Sequence, residues 1–329
     1  MTRTRIFLIA AAVMLGIGVV SCEKDTKDDN TTTTNQGGGT NPGGGDNPGG
    51  GDNPGGTVPD VQGFDVNGAS NARFSVSATE QVRFSRGNLQ YQASTGTWRF
   101  AEHQFDYIGE DNANISSAYS GWIDLFCWGC SGWNSGMVCY QPWCVSKTFT
   151  DFTLGQGDTN SLEGIYANAD WGVYNAISNG GNQPGMWRTL TFNEWYYLLN
   201  SRTDATSKCG NASVEEVRGL VVLPDNWTTP DGIQFTPGFG SYHTNEYTYA
   251  EWSRMEAAGA VFLPPAGYRT GTDVYDVKTR GSYWTASCKP RDYQTSYDID
   301  FDGNSCRDVS WSKRYYGNSV RLVFRNLED

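Results

Sequence analysis

The stretch that decides the reading of this chain runs from Gly281 to Arg325: GSYWTASCKPRDYQTSYDIDFDGNSCRDVSWSKRYYGNSVRLVFR. Three pieces of it read as strands: Ser282–Ser287, Tyr297–Phe301 and Ser319–Phe324. In the second, Ile299 and Phe301 alternate with Asp298, Asp300 and Asp302, the period of a strand with one apolar face. In the third, Val320, Leu322 and Val323 are apolar and Arg321 points the other way. The connections between the pieces are polar and aromatic. Such a segment closes a sheet and presents a surface at the same time.

Working outward, the sequence before it supplies more short elements. Phe74, Val76 and Ala78, then Val82 and Phe84, then Leu89 and Tyr91, alternate with polar residues. A Ser94-Thr95-Gly96 turn leads to Trp98 and Phe100, which predicts an antiparallel hairpin. From Ala101 to Ser161 the chain has little periodicity, and YSGWIDLFCWGCSGWNSG is dense in Trp and Gly; tryptophan packing is expected to pin this long connection. Trp171, Val173, Tyr174 and Ile177 are on helical spacing over Asp170–Ser178, before Gly180-Gly181. Thr191 with Glu194, and Thr248 with Glu251, each read as an N-cap followed three residues on by an acid. The first of these helices is expected to run to about Arg202. Val217–Leu223 and Ala260–Leu263 read as buried strands ahead of prolines. The resulting class is α+β, with mixed, mainly antiparallel short strands, a few helices and long loops; strand and helix do not alternate as in a parallel doubly wound sheet.

The N-terminal part is of a different kind. Arg3 and Arg5 precede an apolar run, Ile6–Val20, too short for a comfortable membrane span. Val19, Val20 and Ser21 lead to Cys22, a pattern resembling a lipobox, so residues 1–21 are expected to be a lipoprotein signal peptide and Cys22 the lipid attachment site. Glu23, Lys24, Asp25, Asp28 and Asp29 follow and resemble a surface-export signal of Bacteroides-type lipoproteins. Residues 30–56 are four threonines and a Gly/Asn/Pro/Asp tract that cannot bury a core. Residues 22–58 therefore read as the lipidated cysteine and a disordered tether spanning ~30 Å on average. Residues 59–329 form the head. The expected location is the outer membrane, lipid-anchored and exposed at the cell surface.

Composition narrows the partners. The 12 Trp, 18 Tyr and 15 Phe all follow the tether except Phe7, enough for a sizeable core. The net charge is −12, and removing Arg3 and Arg5 with the signal peptide makes it −14. An acidic head argues against nucleic acid and against electrostatic attraction to anionic lipid. No cofactor is implied, and the membrane contact is the anchor at Cys22.

Several pieces together resemble the C-type-lectin-like fold, and within it the bacterial branch that includes the Fibrobacter succinogenes major paralogous domain and the formylglycine-generating-enzyme superfamily. They are LTFNEWYYLL at 190–199, VFLPPAGYR at 261–269, GSYWTAS at 281–287 and GNSVRLV at 317–323. The segment ARFSVSATEQVRFSRGNLQYQASTGTWRF, 72–100, resembles the start of Bacteroides-type surface lipoproteins with such a domain. The resemblance covers nearly all of 72–325, through order and spacing rather than one motif. It implies that the termini meet in a sheet and that loops on one face bind. Some such proteins with this ending are targets of diversity-generating retroelements; scattered Tyr, Asp, Ser, Asn, Arg and Cys fit that pattern, whereas Lys289 and Lys313 do not.

Asp298-Ile299-Asp300-Phe301-Asp302-Gly303 matches half of a calcium loop, but position twelve is Val309, and a strand explains the same spacing. The Glu-Pro-Asn or Gln-Pro-Asp motif of sugar-binding lectins is missing; Gln141-Pro142-Trp143 lacks the carboxylate. Cys127, Cys130, Cys139 and Cys144 have zinc-like spacing in the first pair alone, so loop disulfides are preferred over thiols and metal. Cys288 and Cys306 are a further possible pair. The formylglycine resemblance implies two nearby C-terminal cysteines, and Cys288 stands eighteen residues from Cys306. His103 and His243 accompany no nucleophile elbow. Carboxylates are abundant, but nothing singles out a pair. The chain is therefore read as a non-enzyme. Arg291, Tyr293, Arg307, Trp311, Lys313, Tyr315 and Tyr316 are the expected ligand-binding residues, for a glycan or protein, because aromatic and Arg side chains carry interface energy. The alternatives are a structural or adhesive subunit of a surface assembly, and then a divergent enzyme.

Overall fold

The computed structural model describes residues 62–155 and 160–325. The signal run, Cys22 and the tether lie outside the described residues.

The opening alternation forms two hairpins. β1 (Phe74–Ser75) pairs with β2 (Gln81–Val82), and β3 (Leu89–Gln92) with β4 (Thr97–Phe100), Leu89 opposite Phe100 and Gln92 opposite Thr97. β5 (Trp122–Ile123) adds to β3, and β6 (Phe126–Cys127) follows. The helical spacing at 170–178 gives one turn only, α1 (Trp171–Tyr174), capped by the Asp170 carboxylate on Gly172 N–H. It stops where Asn175 turns extended and its amide binds Ser131 O, and where Ile177 bridges to Trp98. β7 (Trp187–Thr189) leads to α2 (Phe192–Tyr196), which continues as a π turn through Ser201.

Both expected capping boxes are present, on α2 and on α3 (Tyr249–Ala257). Between these helices lie β8 (Cys209–Val214), β9 (Val217–Val222) and β10 (Glu246–Tyr247); β11 (Val261–Leu263) then completes a sheet of order β10-β8-β9-β11. β12 (Tyr268–Thr270) and β13 (Asp273–Tyr275) pair with each other. β14 (Gly281–Cys288), β15 (Thr295–Phe301) and β16 (Cys306–Lys313) form an antiparallel meander. β16 was read in the sequence as a connection, and it is an eight-residue strand. The last predicted strand is split: β17 (Tyr316–Asn318) joins β12 and β6, and β18 (Leu322–Phe324) joins β7.

The α+β class is thus present: short, mostly antiparallel strands in several small sheets, with few helices. The sheets act as partitions between three apolar clusters. In β14, Tyr283 faces the cluster of Phe74, Phe84, Trp195 and Ile299, while Trp284 faces that of Trp98, Phe126, Trp171 and Trp187. In β9, Leu220 and Val222 face the Tyr283 side, and Val221 faces Trp252, Met255 and Phe262. Period-two alternation with both faces covered explains why these strands are buried over most of their length. Of the tryptophans in the long connection, Trp128 is fully buried and donates to Thr285 O at 3.0 Å; Trp133 and Trp143 are half-buried. Among the described residues, no helix is long and apolar enough to cross a membrane.

Candidate functional site

The site is built on the two ends of β15. Its C-terminal half carries Ile299 and Phe301 into the cluster that includes Trp195 and Leu199 of the α2 segment. Its N-terminal half runs on past that cover. There Tyr297 stacks on Phe192, the first residue of α2, with ring centroids 4.3 Å apart. Tyr196, one turn further along α2, is 6.2 Å from Phe192 and exposed. Trp311 of β16 sits directly opposite Tyr297 in register and is 51% exposed. Lys289 places its ammonium 3.8 Å from the Trp311 ring centroid, a cation–π contact that orients the indole. The result is a solvent-facing strip: Tyr196, Phe192, Tyr297, Trp311. It exists because the apolar alternation of β15 runs on to Tyr297, which lies under the first residue of α2 at the edge of the cluster.

The predicted ligand residues do not form one patch. Arg291, in the turn between β14 and β15, is exposed with φ +62°; Tyr293 beside it is 40% exposed and lies 5.5 Å from Phe149 of the long connection. Lys313, opposite Thr295, donates to Gln294 Oε1 at 2.8 Å, so it belongs to the same end of the sheet. Arg307 lies at the other end of β16, opposite Asp300. Tyr315 and Tyr316 are half-buried in a separate run of rings: Tyr275, Tyr268 and Tyr316 stack at 5.4 and 5.3 Å, and Tyr315 meets Tyr316 edge-on at 5.2 Å. The residues missed by the sequence reading are Phe192, Tyr196, Tyr297 and Lys289. The first two are four residues apart and so neighbours on one side of the helix, at the edge of the buried stripe of Trp195, Leu198 and Leu199; that pair of aromatics was the available signal.

The Asp-rich run is a strand, as expected, but its carboxylates are not on a solvent face. Asp298 is fully buried; it accepts from Ser312 Oγ at 2.6 Å and Asn318 Nδ2 at 3.3 Å. Burial pushes its carboxyl up to about 6 despite the Ser312 hydrogen bond. Asp300 is paired with Arg280 and accepts from Ser282 Oγ. Asp302 instead closes the β15–β16 turn, accepting from the amides of Asn304 and Ser305 at 2.8 and 2.9 Å. Three aspartates with three separate partners do not converge on a cation, and among the described residues no group of three or more His, Cys, Asp or Glu is placed to hold a metal ion.

Cys139 and Cys144 form a disulfide. Cys127 and Cys130 are buried thiols against it. Cys288 and Cys306 do not pair with each other: they sit opposite Ser296 and Phe301, at the two ends of β15. A groove of about 880 Å³ lies elsewhere, lined by Glu215, Glu216, Glu246, Glu251, Arg218 and Lys278, and contains none of the predicted ligand residues. No family model matches the chain, and no curated protein or solved structure is significantly similar to it.

Proposed function

We propose that this chain is a lipid-anchored cell-surface protein whose C-type-lectin-like head binds a glycan or protein ligand through its C-terminal segment. The observation that carries the reading is the aromatic strip at the end of the last sheet, in which Tyr196 and Trp311 are exposed and flank the half-buried Phe192–Tyr297 stack. Large apolar rings left in water stack on sugar faces or fill pockets of a partner, and rigid aromatics lose little entropy on binding. Arg291, Tyr293 and Lys313 at the same end of the sheet add hydrogen-bond donors around the strip. Arg307, Tyr315 and Tyr316 contribute from neighbouring surfaces, if at all, only to a large ligand.

The test uses the full-length chain against a printed glycan array and an extract of surface proteins. For whichever probe is retained, Trp311→Ala is expected to weaken binding at least tenfold, roughly 1.4 kcal/mol, with an unchanged urea midpoint. Arg307→Ala should leave affinity within about twofold. Unchanged affinity in Trp311→Ala overturns the site. The anchor is checked separately: incorporation of labelled palmitate should disappear in Cys22→Ser, and persistence of the label removes the lipoprotein reading. A near-copy of the codons for 283–320 close to the gene, differing at adenines, would make the binder a diversified one.

A further inference from the structure

The long connection and the last sheets meet at four sulfur atoms. Cys127 and Cys130 lie in a β-turn, Cys127-Trp128-Gly129-Cys130, closed by Cys130 N–H to Cys127 O at 3.2 Å with Gly129 at φ +74°. A turn of this kind keeps its first and last Cα atoms within ~7 Å, a span a disulfide can bridge. Each thiol is set against a main-chain carbonyl of one of the two disulfide-bonded residues, in the same buried cluster. Cys130 Sγ is 3.1 Å from Cys139 O, and Cys127 Sγ is 3.7 Å from Cys144 O. Arg269 ties the two halves together: Nη2 donates to Cys127 Sγ at 3.5 Å and Nη1 to Cys144 O at 3.1 Å.

We propose that the Cys127–Cys130 dithiol and the Cys139–Cys144 disulfide form one exchange unit, in which an electron pair passes between the turn and the loop. The chemistry of the two thiols differs in the required sense. Burial opposes ionisation of Cys127, but the hydrogen bond from Cys130 and the Arg269 charge outweigh it and hold the thiol at about 7; burial and the neighbouring Cys127 push Cys130 up. Cys127 is therefore the attacking thiolate and Cys130 the resolving thiol.

The step balances without an outside oxidant. Cys127 thiolate attacks Cys144 Sγ; the Cys127–Cys144 bond forms, the Cys139–Cys144 bond breaks, and Cys139 leaves with the electron pair. Cys130, which lies beside Cys139 with its Sγ 3.1 Å from the Cys139 carbonyl oxygen, gives up its proton to that thiolate. Cys130 sulfur then attacks Cys127, the Cys127–Cys130 bond forms, and Cys144 leaves as a thiolate that takes the proton first lost by Cys127. Two thiols have become a disulfide and one disulfide has become two thiols. Cys127, Cys130 and Cys139 are buried and Cys144 is partly exposed, so Cys144 is where an outside thiol or disulfide meets the unit.

The test is disulfide mapping of the folded full-length chain, held without air at pH 8 or pH 4. The sample is quenched in acid, alkylated in denaturant and digested without reductant. At pH 8 at least a tenth of the molecules should carry a Cys127–Cys130 or Cys127–Cys144 link with Cys139 alkylated; at pH 4 the Cys139–Cys144 link should stand alone. Cys130→Ser should stop the reaction at Cys127–Cys144, and Cys127→Ser should abolish rearrangement at pH 8. A lone Cys139–Cys144 link at pH 8, or rearrangement that survives Cys127→Ser, overturns the proposal.

Discussion

Arg269→Ala is expected to lower the unfolding free energy by about 3–5 kcal/mol, among the largest losses available to a single substitution here. The guanidinium is fully buried and serves several acceptors at once. Nε donates to Leu125 O at 2.8 Å, Nη1 to Gly271 O at 2.8 Å and to Cys144 O, and Nη2 to the Cys127 sulfur. Truncation strips those carbonyls of their donor and leaves a cavity between β6, β12 and β17. The packing is close enough that a Cβ on Gly317 would come within 2.4 Å of Arg269 Cγ, which is why GNSVRLV begins with glycine. Arg269→Lys keeps the charge but offers one point of donation instead of a fork, so an intermediate loss is expected. Urea unfolding followed by tryptophan fluorescence reads both. A loss below 1 kcal/mol in Arg269→Ala would show that the carbonyls find other donors.

The second large effect concerns pH. Burial raises the carboxyls of Asp124, Asp170 and Asp298 from 3.8 to about 6 each. In the unfolded chain they lose their protons near 4. Below that pH both states are protonated and nothing is lost. Between about 4 and 6 the folded state holds more protons, so stability falls as pH rises, and above 6 the loss is complete. At about 1.4 kcal/mol per unit the shift at Asp298 corresponds to ~3 kcal/mol at pH 7. Asp298 Oδ1 and Asn318 Oδ1 are buried with no donor among the described residues, which a carboxyl proton or an amide would relieve in part. Asp298→Asn is therefore expected to raise stability at pH 7 by about 1–3 kcal/mol, to change it little at pH 4, and to flatten the fall between. Urea midpoints at pH 4, 5.5 and 7 decide this; destabilisation at pH 7 with an unaltered slope would mean that the carboxylate is needed charged.

How much of this was legible depended on which force set each element. Thr191 with Glu194 and Thr248 with Glu251 were readable because a capping box is a local hydrogen-bond pattern, and both helices begin where it says. The hairpin of β3 and β4 was readable because alternation and a glycine turn are local too. α1 was overestimated because a tertiary bridge at Ile177 overrides helical spacing. β16 was missed because CRDVSWSK alternates weakly, and its register comes from pairing with β15 rather than from its own pattern. The aspartates of β15 read as solvent-facing because sequence alone does not tell a polar interior from a polar exterior. The buried arginines 269, 314 and 321 mark that interior. At the candidate site, Trp311 was named from residue type alone. Phe192 and Tyr297 were not named, because their partial exposure follows from where a helix begins over a strand.

The end of the chain has a bearing on how the molecule forms. Arg321 bonds to Gln104, 217 positions earlier, and Gly317 and Asn318 pair with β6 while Leu322–Phe324 pair with β7. The meander β14-β15-β16 can assemble from neighbouring residues, but the last ten or so residues bind elements made long before. Closure of such distant loops is slow. The native topology is therefore reachable only once residues 316–324 have been made. Until then β6, β7 and the Trp-rich cluster between them wait without their partners.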